Sequence, residues 1–113
     1  MITIYHNPSC SKSRACHHIL TDVGSHVKVI NYKQTPFTEE TLTALLGLLK
    51  MKPADLVRTN ETIWKEQFKS KKLTNKGIIK AMLAYPQLIE RPIVVKGDTA
   101  IVARPPERVL ELL

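Results

Sequence analysis

The chain has 113 residues, 43% of them hydrophobic and 24% charged, and its 17 Lys and Arg against 10 Asp and Glu give a net charge of +7. That length and balance suit one domain over residues 1–113, with one core and little room for a second. They exclude a disulfide framework, because Cys10 and Cys16 are the only cysteines, and a spanning helix, because no apolar run approaches the ~20 residues it needs. Met1 to Tyr5 shows none of the basic, apolar and small-residue pattern of a secretory leader, so the expected location is cytoplasmic. The positive charge fits a solvated surface first and a field that draws small anions second. Nucleic acid comes last, because the lysine cluster at Lys69, Lys71, Lys72 and Lys76 has no aromatics interleaved with it.

Ile2-Thr3-Ile4-Tyr5 alternates with period two and reads as a strand, which Asn7-Pro8-Ser9 breaks. From Ser11 to Val23, the residues Cys16, Ile19, Leu20 and Val23 line one helix face, and Gly24 suits the C-terminal cap. Val27 to Tyr32 is short and β-branched, a second strand. Thr38 caps the next helix, with Glu39 and Glu40 in its first turn and Leu42, Leu45, Leu46 and Leu49 on its apolar face. The stretch from Pro53 to Pro86 reads as helical throughout, with a second cap at Thr74 before Ile78, Ile79, Met82 and Leu83. Ile93 to Val95 and Thr99 to Ala103 form a hairpin about Gly97-Asp98. Pro105 and Pro106 open a last helix carrying Val109, Leu110, Leu112 and Leu113.

A β-α-β unit requires a parallel strand pair, and a hairpin followed by a helix extends the same sheet with antiparallel strands. The economical assembly is an α/β fold of thioredoxin-like type: a four-stranded mixed sheet flanked by helices, with a helical insertion at about 38–86 before the third strand.

The candidate reactive atom is the sulfur of Cys10, which lies between the first strand and the first helix, in a turn rather than on an apolar stripe. Unpaired N–H groups at a helix N-terminus favour the thiolate, which is the nucleophilic form. Lys12 and Arg14 add positive charge in the same turn, and His6 stands four residues earlier, able to help if protonated. Cys16 falls on the helix stripe and reads as core. About 9 Å of helix separates the two Cα atoms, more than the roughly 7 Å a bridge spans. A dithiol motif is excluded by Ser13 at the third position after Cys10, and a phosphatase-type loop by Cys16 where its Arg belongs. Cys10, Cys16, His17 and His18 match no zinc spacing, so no metal is expected, and no glycine-rich phosphate loop implies a nucleotide.

Tyr5-His6-Asn7-Pro8-Ser9-Cys10-Ser11-Lys12-Ser13-Arg14 resembles the active-site loop of the bacterial glutaredoxin-coupled arsenate reductases. Tyr32 to Pro36, Leu56-Val57-Arg58, Glu90 to Val95 and Ala103 to Glu107 resemble four further segments of that family, in the same order along nearly the whole chain. The resemblance implies that Cys10 attacks arsenate, that glutathione as co-substrate attacks the adduct, and that glutaredoxin as partner removes the glutathione. It implies no bound cofactor. It assigns Arg58, Arg91 and Arg104 to the oxyanion. Lys12 departs from the family's loop, which has Gly-Thr-Ser where this chain has Ser11-Lys12-Ser13, and is read either as an aid to anion capture or as the mark of a subgroup with another substrate. It gives His6, Ser13 and Arg14 the task of stabilising the thiolate, Ser13 as a hydrogen-bond donor, and it makes Pro92 the cis-proline facing the cysteine. Arginine's planar fork suits a tetrahedral oxyanion. Two alternatives keep the fold: a glutathione-dependent oxidoreductase with another substrate, and a redox regulator that binds RNA polymerase. Such regulators usually carry a Cys-x-x-Cys switch, which Ser13 removes.

Overall fold

The computed structural model describes residues 2–24 and 26–113. Contacts divide the chain into two compact units, one of residues up to Pro36 together with Arg91–Leu113, the other of Phe37–Glu90.

The first unit holds a mixed sheet of β1 (Ile2–His6), β2 (Val27–Asn31), β3 (Ile93–Lys96) and β4 (Thr99–Val102) in the order β2-β1-β3-β4. β1 pairs in parallel with β2, from Ile2 opposite Val27 to His6 opposite Asn31. It pairs antiparallel with β3, Tyr5 opposite Ile93, and β3 pairs antiparallel with β4, Ile93 opposite Val102. The helix α1 (Ser11–Asp22) connects the parallel pair, and the expected thioredoxin-like architecture is the one formed. Alternation puts Ile2, Ile4 and His6 of β1 on the buried side, while α1 buries Ser13, Cys16 and Leu20. Ile2, Ile4, Cys16, Leu20, Val94, Ala103 and Val109 make one core cluster. Gly24 follows α1 with φ +73°, the left-handed conformation that closes a helix end without a Cβ clash.

Two expectations fail here for simple geometric reasons. Val23 is the C-cap of α1 and half exposed, so the apolar stripe ends at Leu20. The last helix is a 3-10 helix, Pro106–Leu112. Its period of three puts Pro106, Val109 and Leu112 on the inner face and turns Leu110 and Leu113 to solvent.

The second unit is helical but not continuously so. It contains α2 (Glu39–Leu49), α3 (Pro53–Leu56), α4 (Thr62–Gln67) and α5 (Asn75–Ala84), then a 3-10 turn at Pro86–Leu88. The expected unbroken helical run is interrupted after Leu56, because Val57 turns extended and forms an antiparallel bridge with Ile89. The Arg58 N–H donates to the Leu88 carbonyl, and the Glu90 N–H to the Leu56 carbonyl. Leu42, Leu45 and Leu46 of α2 are buried, as are Ile78, Ile79, Ala81 and Met82 of α5. α4 buries none of its residues, and Trp64, Phe68 and Tyr85 pack ring against ring beside it. Thr38 closes a reciprocal cap with Thr41 on α2, and the Thr74 hydroxyl accepts from the Gly77 N–H on α5. No helix among the described residues is long and apolar enough to cross a membrane.

Candidate active site

Register brings the chemistry of the first unit to one end of the sheet. β1 ends at His6, opposite the entry to β3, and β3 begins where β4 ends. The loop carrying Cys10 leaves β1 at this end, Arg91 and Pro92 enter β3 there, and Ala103 and Arg104 leave β4 there. The Ala103 N–H donates to the Pro92 carbonyl at 2.9 Å, fastening the two arginine segments side by side. The Arg91–Pro92 and Arg104–Pro105 peptide bonds are both cis, and Pro92 is fully buried.

Asn7 builds the turn before the helix. Its side-chain oxygen accepts from the Ser9 N–H at 3.0 Å, and its carbonyl accepts from the Cys10 N–H at 3.0 Å. Cys10 is the N-cap of α1: its backbone is extended, and its carbonyl accepts the first helical bond from the Arg14 N–H. The sulfur closes no side-chain cap hydrogen bond in this geometry, yet the N–H groups of Ser13 and Lys12 are close enough to act on its charge. Burial pushes the Cys10 thiol up. The Ser13 amide, the Arg91 guanidinium in hydrogen-bonding reach, and the Lys12 amide together outweigh it and hold the thiol below its ordinary value.

The side chains expected to assist the thiolate act differently from the sequence reading. The Ser13 hydroxyl lies 2.7 Å from His6 Nδ1 and accepts from the Asn7 N–H at 3.0 Å, so Ser13 reaches the sulfur with its backbone and not its side chain. For His6, burial first, then the neighbouring His17 and Arg14, hold the pKa below its ordinary value, which opposes the charged form. The His17 ring lies 5.4 Å from the His6 ring, centroid to centroid. Arg14 donates from Nη1 to the Pro8 carbonyl at 3.2 Å and ties the loop together, leaving Arg91 as the cation that acts on the thiol. Lys12 is exposed in the first turn of α1.

Arg104 is half-buried, and its guanidinium makes no hydrogen bond or ion pair with any described residue. Arg58 belongs to the second unit, where its Nε lies 3.4 Å from Glu90 Oε1. Cys16 sits in the core with no solvent exposure, and burial pushes its thiol up to about 11. Both cysteines are free. Among the described residues, no group of three His, Cys, Asp or Glu side chains is placed to hold a metal ion. Asn7 is the residue that sequence reasoning passed over. Its Asn-Pro pair was a visible turn signal, but nothing local announced that its backbone would bond a serine six residues on.

The sequence pattern of the ArsC family matches residues 5–112. The chain is 42% identical over 114 residues to the Escherichia coli (strain K12) protein described as uncharacterized protein YfgD, covering 99% of this chain and 96% of that one. It is 37% identical over 113 residues to the arsenate reductase of the same strain, covering 99% and 80%. The solved arsenate reductase from Vibrio cholerae superposes with a TM-score of 0.93 at 39% identity, covering 99% of this chain and 97% of that one. With Cys10 at the head of α1 and two arginine segments beside it, the chain belongs to the ArsC family of thioredoxin-like arsenate reductases.

Proposed function

We propose that this protein is an arsenate reductase coupled to glutathione and glutaredoxin, a cytoplasmic oxidoreductase with Cys10 as its nucleophile and no bound cofactor. The observation that carries this reading is the Cys10 thiol, held below its ordinary value by two helix amides and Arg91, in a chain of the arsenate reductase family. The Cys10 thiolate attacks arsenic(V), and one oxygen leaves with protons as water. A glutathione thiolate then attacks the Cys10 sulfur of the adduct. The sulfur–arsenic bond breaks, its electron pair goes to arsenic, and arsenite departs from a Cys10–glutathione mixed disulfide. A glutaredoxin thiol takes the glutathione and frees Cys10. Two thiols are oxidised to one disulfide for each arsenic that gains two electrons.

Arg91 has two tasks in this scheme. It favours the resting thiolate, and its fork then takes the oxyanion whose charge replaces that of the sulfur. Arg104, with its guanidinium uncommitted, is a second oxyanion donor. Lys12 draws the anion in.

The test is a coupled assay with arsenate, glutathione, glutaredoxin, glutathione reductase and NADPH. Arsenate-dependent NADPH loss that disappears in Cys10→Ser is the expected result. The second reading is a glutathione-dependent oxidoreductase with another substrate, which needs the same Cys10 thiolate and anion site. Folded protein with a titrating Cys10 and no arsenate turnover would select it.

A further inference from the structure

The hydrogen bonds around Ser13 fix where its proton points. The Asn7 N–H can only donate, so the Ser13 oxygen is the acceptor in that 3.0 Å contact. The hydroxyl has one hydrogen of its own, and its other partner is His6 Nδ1 at 2.7 Å. With no bond from the Ser13 hydroxyl to the Cys10 sulfur, that hydrogen goes to Nδ1. Nδ1 is then the bare acceptor nitrogen, and the ring proton sits on Nε2.

The rival layouts put a proton on Nδ1, either in the neutral Nδ1–H tautomer or in the cation. In both, the ring would donate to the Ser13 oxygen, and the displaced hydroxyl hydrogen would need another acceptor. Ser13 is fully buried, so such a hydrogen would be left unsatisfied at a cost comparable to a lost buried hydrogen bond. The surroundings of His6 oppose the cation as well. The titratable and charged groups that act on it are His17 and Arg14 of α1, neither of them a carboxylate, and its register partner on β2 is the uncharged Asn31.

The contact is a product of two periodicities. His6 is the last inward residue of β1 after Ile2 and Ile4, and Ser13 is the first inward residue of α1 before Cys16 and Leu20. The bond therefore ties the strand end to the first helical turn, the turn whose amides face the sulfur.

We propose that His6 is a positioning residue that stays neutral and accepts the Ser13 hydroxyl, holding the first turn of α1 so that the Lys12 and Ser13 amides face the Cys10 sulfur. The proposal rests on Cys10 working as a thiolate, and it requires nothing about arsenate.

The test has two arms, neither of which uses arsenate, so failure of the proposed reaction and failure of this proposal are separable. In the native chain, nitrogen NMR of the imidazole rings is expected to show His6 neutral with the proton on Nε2 at a pH where Cys10 is ionised. A cationic His6 titrating together with Cys10 would overturn the proposal. In the second arm, the rate of Cys10 alkylation by iodoacetamide is followed against pH and mapped by mass spectrometry. His6→Asn can accept from Ser13 but can never carry charge, and it is expected to hold the native rate at neutral pH within about threefold. His6→Leu removes the acceptor and is expected to slow it about tenfold, a rise of one pKa unit. Asn as slow as Leu, with both variants folded by circular dichroism, would overturn the proposal. Should the Asn variant not fold, the ring spectrum of the native chain decides alone.

Discussion

At the scale of single residues, the two cysteines are set in opposite directions by position alone. Cys10 has helix amides and Arg91 around it, whereas Cys16 has only apolar neighbours in the core cluster. The Cys16 thiol, pushed up to about 11, contributes stability that is complete below an ordinary thiol pKa of about 8.5 and is lost as pH rises through its folded value. Cys16→Ala is therefore expected to lose stability less steeply than the native chain between about pH 9 and pH 11, by urea titration at each pH, while keeping its turnover. The two arginines at the sheet end separate in a similar way. Arg91 acts on the sulfur, whereas the Arg104 guanidinium bonds to no described residue. Arg91→Ala should slow alkylation of Cys10 at neutral pH several-fold and weaken substrate use. Arg104→Ala should leave alkylation unchanged and raise the KM for the oxyanion. Equal effects of the two on alkylation would contradict this division. The position of Cys10 at the head of a helix was legible in the sequence. The Ser13–His6 contact was not, because a hydroxyl's partner is chosen by how a strand and a helix pack, and no spacing rule states that.

At the scale of elements, the regular pieces were legible where one face had to be buried. Period two announced β1, and period 3.6 announced α1, α2 and α5, with Thr38 and Thr74 marking two helix starts. Legibility failed where burial did not choose the element. α4 buries nothing, so its sequence carries no stripe. The terminal segment has enough leucines for an α-helix but follows a three-residue period. α1 also has an unusual start. A cysteine occupies its N-cap without capping it, and there is no acidic residue in its first turn. Serine is among the preferred caps, and a good cap contributes about 0.5–2 kcal/mol. Cys10→Ser is therefore expected to lose all turnover while its urea midpoint at acid pH, where the native thiol is protonated, matches or exceeds that of the native chain. A marked loss of stability would mean that the sulfur itself packs structurally. By the same rule Thr38→Ala, which opens the cap of α2, should cost about 1 kcal/mol.

At the scale of the whole molecule, the sheet order followed from topology. A parallel β1–β2 pair and a β3–β4 hairpin share one sheet when β3 takes the free edge of β1, and the order β2-β1-β3-β4 is that solution. The order also decides the site, because it sets the end of β1, the entry to β3 and the exit of β4 side by side. No reading of the loop alone could place Arg91, more than eighty positions from Cys10, within reach of its sulfur. Charge acts at this scale too. A net charge of +7 sets up a positive field, which salt screens over about 10 Å at 0.1 M. The kcat/KM for arsenate is expected to fall severalfold as inert salt is raised from low to 0.5 M, with kcat little changed. An unchanged kcat/KM would assign the positive surface to solvation alone.

The central claim is that the reaction passes through one sulfur. Mass spectrometry of the native chain, after incubation with arsenate and glutathione but no glutaredoxin, tests it directly. The expected result is a glutathione mixed disulfide on Cys10 alone, forming only when arsenate is present and disappearing when glutaredoxin is added. Arsenite released with the disulfide on Cys16, or released equally by Cys10→Ser, would contradict it.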